Sequence, residues 1–580
     1  MSSHHTHGEA SDAAKLKVSL RGEALLRSPV FNKGSAFTER EREEFGLRGR
    51  LPFSVNTLDQ QVERAYDQYQ SRGSDLRKNS FLQSLKAQNQ VLFYNLLSRH
   101  LEEMFPVIYT PTEAEAISGY SHLFRQPEGL YLSPPSADKM EEDFLDACQN
   151  RELDLIVVSD GEQILGIGDQ GSGGIGISSA KAVIYSLVAG IDPARTLAVV
   201  LDVGTNNPDL RNDELYLGWN HDRVRGEAYT AFVDKFADLV IKHQPQCLLH
   251  FEDFGVSNAQ MLLERYKPKQ AVFNDDIQGT GAVTLATLTA ALQVTQSKLS
   301  DQRIVQFGAG SAGLGITRQI RDAMILVDGT DKKEASSKFW LVDKYGLVKK
   351  GLGDKVRSEI EPEFVRQEED WGTDETHLLD VVKRIKPTVL IGTSTASGAF
   401  TEDVIREMAK HTDRPIIFPL SNPTRLAECK PEDAQKWTNG KALISTGSPF
   451  PQVDLGEGKK YTVAECNNAL VYPGIGLGAI LARATRVTDK MIVRAAQVLG
   501  DMAPASAEKP EASLLPDFAD SQKVAEAIAL EVMDQAIGEG VSDLNDDALI
   551  QDKGARRKYL EDKLWRPVYR EYEYDPKGHW

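Results

Sequence analysis

The sequence predicts an α/β protein built on two parallel sheets, with a helical N-terminal region and a C-terminal helical tail. Three observations carry that prediction. From about residue 153, short β-rich runs ending in acids, Gly or Asn alternate with helical stretches. Runs that are apolar throughout belong to strands covered on both faces, as parallel strands are. The alternation resumes after about residue 280 with "QRIVQFGAGSAGLGI", "KFWLVDKYGL", "PTVLIGTS", "RPIIFPLSNPT" and "KALISTGSPF". Both ends of the chain instead place apolar residues at helical three- and four-residue spacings. A length of 580 residues is also more than one core serves.

In chain order, residues 1 to about 55 read as irregular, with capping and turn residues scattered through "FNKGSAFTEREREEFGLRG". His4, His5 and His7 stand in this tail as solvated residues and receive no metal role. The N-terminus lacks the apolar core of a secretory signal. Lys15, Lys17, Arg21 and Arg27 give a transit segment a weak case, which Glu9, Asp12 and Glu23 oppose. A cytoplasmic location is therefore expected, with the mitochondrial matrix as the alternative. From Thr57 to His100, "LDQQVERAYDQYQ" and "NQVLFYNLLSRHLEEMF" are helical. Four regions result: 1–82 irregular and helical, 83–276 the first α/β domain, 277–540 the second, and 541–580 the tail.

The net charge of −18 argues against nucleic acid or an anionic membrane as partner. No apolar run is long enough to span a bilayer. Cys148, Cys247, Cys429 and Cys466 lie far apart without a C-x-x-C pair, which fits a reducing compartment.

The chemistry gathers at strand ends, where open parallel sheets bind their ligands. Asp202, Glu252, Asp253, Asp275 and Asp276 all fall there. "FEDF" and "FNDD" each set two acids side by side, and repulsion between neighbours is costly unless a cation or a proton intervenes. A cap or surface turn explains one such pair. Two pairs at equivalent positions predict a hard oxygen site for Mg²⁺ or Mn²⁺.

"FGAGSAGLG" supplies G-x-G-x-x-G as Gly308, Gly310 and Gly313, with Ser311 and Ala312 between them. A strand before it and a helix after it make this a Rossmann-type dinucleotide turn. Asp343, at the end of the next strand, is placed to accept from ribose hydroxyls, beyond the usual ~20-residue separation because "VDGTDKKEASSK" lengthens the link. An acid there favours NAD over NADP, while Lys344 keeps NADP open.

"GDQGSGGIGISSAK" lacks the Gly-Lys-Ser/Thr of a phosphate loop and instead brings backbone close to a ligand, with Lys181 opening the next helix. By spacing alone Lys181 reads as a surface lysine; beside a dication it reads as a base. Tyr109 in "YTPT" reads either as a buried structural tyrosine or as a phenol acid. Asn422, Asn467 and Asn468 suit binding of a carboxylate or hydroxyl, and suit turns equally.

Together, "YTPT", "EQILGIGDQG", "LDVGTNN", "FEDFG", "FNDDIQGTGAV", "GAGSAGLGI", "PLSNPT", "TGSPF" and "NNALVYPGIGLG" closely resemble the malic enzymes, the NAD(P)-dependent oxidative decarboxylases of malate, and more their fungal and bacterial branch. The resemblance implies a substrate- and metal-binding domain followed by an NAD-binding one. It implies Tyr109 as general acid, Lys181 as general base, and Glu252, Asp253 and Asp276 as metal ligands. Asp275 would tune the lysine and approach the cofactor, and Asn422, Asn467 and Asn468 would hold malate or the nicotinamide. Dimers or tetramers are the rule among such proteins, so a homo-oligomer is expected. Two departures stand out. Gln163 in "DGEQILGIGD" occupies the place of an arginine that helps hold malate, and Gln88 replaces an arginine of fumarate-activated relatives, which argues against that activation. The rival readings are a malolactic enzyme releasing lactate, an NADP-preferring enzyme, and a nucleotide-binding relative without turnover.

Overall fold

The computed structural model describes residues 15–367, 371–372 and 376–579, with backbone alone at Val256. His4, His5 and His7 lie outside the described residues. The chain divides into two compact units, residues 1–127 with 565–580, and residues 128–564.

In the first unit the two ends of the chain meet. Leu16–Val18 pairs in parallel with Tyr572–Tyr574. Behind that pairing, Val18, Leu25, Phe37 and Phe45 form an apolar cluster with Tyr572. The Tyr572 ring meets Phe31, Phe37 and Phe45 edge-on at 6.3, 6.3 and 6.4 Å. The Lys33 ammonium lies 3.7 Å from its centroid and 2.6 Å from the Glu41 carboxylate. Burial pushes that lysine's pKa down, against the pull of Glu41. The charged, aromatic tail is thus part of this unit's core. Tyr572→Ala removes the central ring and is expected to cost about 3–5 kcal/mol of local stability, as for other buried aromatics. Hydrogen exchange at Leu16–Val18 checks this; unchanged protection there would refute it.

The helices Leu58–Gln70, Asp75–Lys86 and Gln90–Arg99 start at Thr57, Ser74 and Asn89, whose side chains each accept from the backbone three residues on. Tyr109 closes the helix Leu101–Ile108 and is buried.

The second unit carries the two predicted sheets. The first contains β1 (Leu130–Leu132), β2 (Leu155–Ser159), β3 (Thr196–Leu201), β4 (Leu248–Phe251) and β5 (Val272–Asn274) in the order β1-β3-β2-β4-β5, all parallel. The second contains β6 (Ile304–Phe307), β7 (Phe339–Asp343), β8 (Gly346–Leu347), β9 (Val389–Gly392), β10 (Ile416–Pro419), β11 (Leu443–Thr446) and β12 (Ala464–Glu465). Its order is β12-β11-β10-β9-β6-β7-β8, parallel except for β8. Strands β2, β4, β9, β10 and β11 are buried throughout, as their unbroken apolar runs require.

Two local readings differ from the structure. The β-rich run that begins near residue 153 forms a strand only as far as Ser159; Gly161 takes φ +71° and the apolar residues beyond it, in "ILGIGD", form a loop bridged at Ile164–Gly168. The helix expected to open at Lys181 begins earlier, as α1 (Ile175–Ala189), because "GSGG" already coils into a helical turn. Lys181 therefore sits in the second turn of α1. No helix among the described residues is long and apolar enough to cross a membrane. All four cysteines are free.

Candidate active site

Two adjacent strand ends bring the acids together. Phe251 on β4 lies opposite Asn274 on β5, so the residues that follow, Glu252 and Asp275, emerge side by side. After β5 the chain makes one π-helical turn, Asp275–Gly279, whose Ile277 amide donates to the Asn274 side chain at 3.0 Å. Such turns are rare and concentrate at functional sites. The oxygens offered by Glu252, Asp253 and Asp276 lie within 4.8 Å of one another. Asp276 accepts from the Asp253 amide at 2.8 Å, and Asp253 from the Leu165 amide at 3.1 Å.

Lys181, 1% exposed, reaches across from α1. Its Nζ donates to Asp275 Oδ2 at 2.5 Å, lies 3.1 Å from Glu252 Oε1, and stands 4.6 Å from the ring centroid of Tyr472. Asn468 donates to the same Asp275 oxygen at 3.2 Å. Asp275 Oδ1 is buried without a partner. A Cβ at Gly279 would lie 1.8 Å from that oxygen, so any side chain there displaces the carboxylate.

Four carboxyl groups thus share one lysine, and their protons show the imbalance. Burial pushes Glu252 up to about 8, outweighing the pull of Lys181. Burial, with Glu252 and Asp275 adding repulsion, pushes Asp276 to about 8, and Asp253 rises well above the usual carboxylate range for like reasons. Burial also holds His250, behind Glu252, down at about 3 and therefore neutral.

The carboxyl ends of the second sheet form the glycine turn. Gly308 takes φ +100°, and a Cβ on Gly313 would lie 2.0 Å from the Gly308 carbonyl oxygen. Ser311 and Ala312 open α2 (Ser311–Asp328), and nothing lies within 4 Å of where a Cβ on Gly310 would stand. Open backbone at the start of a long helix is where a pyrophosphate is received. Helix α2 also rests on the acidic turn, with the Gly315 Cβ position 2.9 Å from the Ile277 carbonyl oxygen.

Comparison with known proteins matches this chain to two family profiles: "Malic enzyme, N-terminal domain" over residues 86–267 and "Malic enzyme, NAD binding domain" over residues 277–537. "NAD-dependent malic enzyme 3" of Bacillus subtilis (strain 168) is 46% identical over 564 residues, covering 96% of this chain and 97% of its own. "NAD-dependent malic enzyme, mitochondrial" of Saccharomyces cerevisiae is 46% identical over 570 residues, covering 96% and 84%. The chain belongs to the malic enzyme family. Among solved structures, the Entamoeba histolytica malic enzyme is similar with a TM-score of 0.53 at 21% identity, covering 90% of this chain and 91% of that one. The Pyrococcus horikoshii malic enzyme gives 0.52 at 23%, covering 80% and 90%. These two share the fold.

In this malic enzyme the structure draws together Lys181, Glu252, Asp253, Asp275, Asp276 and Asn468. Asn467 is spent on the turn that presents its neighbour: its Oδ1 accepts from the Ala469 amide at 3.0 Å, and its Nδ2 donates to Glu465 at 3.3 Å. Asn422 accepts from the Ser448 hydroxyl at the end of the second sheet. Asp343 ends β7 as read, and Arg357 donates to it at 2.8 Å, so a cation stands at the expected ribose position. Gln163 lies in the loop after β2, exposed, its backbone amide donating to the Asp253 carbonyl at 3.1 Å. Asp202, the fifth acid at a strand end, accepts from the Trp219 and Gly204 amides instead and shapes a loop.

The sequence reading missed two buried groups. Glu428, fully buried, accepts from Ser394 N at 2.8 Å and from the Ser421 hydroxyl, tying together the loops after β9 and β10. His250 accompanies Glu252 on β4. Each signalled itself as a polar residue set among apolar ones, His250 in "CLLHF" and Glu428 in "LAEC", where burial requires a partner.

The residues present fit the cofactors of a malic enzyme. Three converging carboxyl groups, short of positive charge, are hard oxygen donors suited to Mg²⁺ or Mn²⁺. The open backbone at Gly310 suits a dinucleotide.

Proposed function

We propose that this chain catalyses the oxidative decarboxylation of (S)-malate to pyruvate and CO2 with reduction of NAD⁺, dependent on a divalent cation. One observation carries the reading: Lys181 is buried against Asp275 and Glu252, beside three converging carboxylates, in a chain 46% identical to NAD-dependent malic enzymes over nearly its full length.

Residues 83–276 form the substrate- and metal-binding region, 277–540 the NAD-binding region and 541–580 the tail. Glu252, Asp253 and Asp276 would hold Mn²⁺ or Mg²⁺; Gly308, Gly310, Ser311, Ala312 and Gly313 would cradle the pyrophosphate, and Asp343 would face the ribose. When bound, the cation supplies Lewis acidity at the substrate's oxygens and the nicotinamide supplies the electron acceptor.

Lys181, in its neutral form, takes the proton of the C2 hydroxyl. Asp275 and Glu252 then hold the ammonium that results. Tyr109 returns a proton to C3 after CO2 has left. Asn468, held by Asp275 and the Asn467 turn, and Asn422 hydrogen-bond malate or the nicotinamide. Gln163 donates to the malate carboxylate without a charge, which weakens binding relative to an arginine at that place. The active form is a homo-oligomer, a dimer or tetramer, in the cytoplasm, with the mitochondrial matrix as the alternative.

The test is direct. The protein is incubated with L-malate, NAD⁺ and Mn²⁺, nicotinamide reduction is followed by absorbance, and products are assayed. NADH and pyruvate rising together is the expected result, with a slower reaction when NADP⁺ replaces NAD⁺. Lactate formed without net NADH would make the chain malolactic and overturn the proposal. Binding of NAD⁺ without turnover would overturn it too.

A further inference from the structure

We propose that Tyr185 and His250 act as a positioning pair that fixes how the Glu252 carboxylate faces both the cation and Lys181. The inference rests on the reading of Glu252 as a cation ligand. His250 precedes Glu252 by two residues where β4 ends, so both side chains leave the strand on one face. Tyr185 follows Lys181 by one turn of α1, so those two also share a face.

The contacts close a ring between the two elements. Lys181 Nζ meets Glu252 Oε1 at 3.1 Å. His250 Nε2 meets Glu252 Oε2 at 2.7 Å, and His250 Nδ1 meets the Tyr185 hydroxyl at 2.8 Å. Each carboxylate oxygen is thereby reached from α1, one directly and one through the imidazole. Tyr185 and His250 are both 0% exposed.

The direction of the hydrogen bonds follows from the acceptor. With a cation bound the Glu252 carboxylate is ionised and only accepts, so Nε2 carries the hydrogen and Nδ1 is bare. The Tyr185 hydroxyl must then donate to Nδ1, which locks the tautomer that holds Glu252. Close packing keeps the phenol in place: the Tyr472 ring meets it edge-on at 4.9 Å, and a Cβ on Gly476 would lie 2.5 Å from its Cε1. A pair serving only to fill the core would tolerate an apolar side chain of similar size. A positioning pair requires the donor at Nε2.

Calorimetric titration of the full chain with Mn²⁺ alone separates these roles, with NAD⁺ binding as the check on folding. His250→Leu is expected to weaken Mn²⁺ binding by about 10- to 100-fold, the usual loss for a hydrogen-bond partner of a metal ligand. His250→Gln, which keeps an N–H toward Glu252, restores most of it, and Tyr185→Phe falls between the two. Equal Mn²⁺ affinity in His250→Leu, His250→Gln and the unaltered chain would overturn the inference. Should His250→Leu fail to bind NAD⁺, the comparison of Tyr185→Phe with the unaltered chain decides: a loss supports the pair, and equal affinity overturns it. Asp276→Ala separates the two levels of the argument. If it binds Mn²⁺ as the unaltered chain does, the ligand assignment falls and the inference with it. If it loses Mn²⁺ while the His250 and Tyr185 variants keep it, the inference alone falls.

Discussion

Replacing Lys181 by alanine is expected to lower malate turnover by about 10²- to 10⁴-fold at saturating malate, NAD⁺ and Mn²⁺, the usual loss of a general base. The size of the effect follows from what stands around the ammonium. It is the one cation touching Asp275 and Glu252 among the described contacts, at 2.5 and 3.1 Å, and neither nitrogen-bearing side chain named beside them replaces it as a base: Asn468 is an amide, and His250 lies behind Glu252 with its nitrogens already engaged. Loss of charge and loss of the base need separating, because alanine removes both. Lys181→Arg keeps a positive charge but has no proton it gives up near neutral pH. If the lysine acts as base, arginine is as slow as alanine; if it only balances charge, arginine recovers most of the rate. Mn²⁺ binding is measured alongside and survives in both variants, since the lysine is not among the assigned ligands. Near-normal turnover of Lys181→Ala would remove this residue from the role.

How much of this was legible beforehand depended on sequence distance. The glycine turn and the strand-end acids were read correctly in place because each is local: a strand, a turn and its side chains lie within a dozen residues. The base was not. Lys181 and Asp275 are 94 residues apart, and nothing in "SSAKAVIY" separates a surface lysine from one buried against two carboxylates. The same holds for Tyr185, 65 residues from its partner His250. His250 was legible in principle, since an imidazole within an apolar strand needs a partner two residues on or across the sheet. The loop after β2 misled for the opposite reason. Ile164, Leu165 and Ile167 have the composition of a strand, but Gly161 has already turned the chain, and Asp169 is clamped by Arg223 at 2.7 Å from a different part of the sequence. The pairing of Leu16–Val18 with Tyr572–Tyr574 is beyond any local pattern, because three-residue strands carry too little periodicity to be recognised.

Asp276→Ala is expected to abolish tight Mn²⁺ binding, and in the unaltered chain that binding should strengthen as pH rises. Glu252 and Asp276 lie at about 8 and Asp253 well above its ordinary value. Near pH 7 the cation-free cluster therefore retains protons that an entering cation must displace. Affinity gains up to about tenfold per pH unit for each proton released, and levels off once the pH passes about 8 for Glu252 and Asp276. Stability runs the other way without the cation. A carboxyl raised on folding favours the folded state fully below its unfolded pKa, and that contribution is lost as pH rises through the folded value. The cation-free protein thus weakens from about pH 4 towards 8, the window between ordinary carboxylates and these raised ones. Mn²⁺ at a hundredfold excess over its Kd returns about 2.7 kcal/mol, and at one fixed Mn²⁺ concentration the tighter binding at pH 8 raises the melting temperature more than at pH 6. Titrations in two buffers of different ionisation enthalpy count the protons released. Proton release of zero, an affinity that does not change between pH 6 and 8, or an Asp276→Ala protein that still melts higher with Mn²⁺ would each show that the cation binds elsewhere.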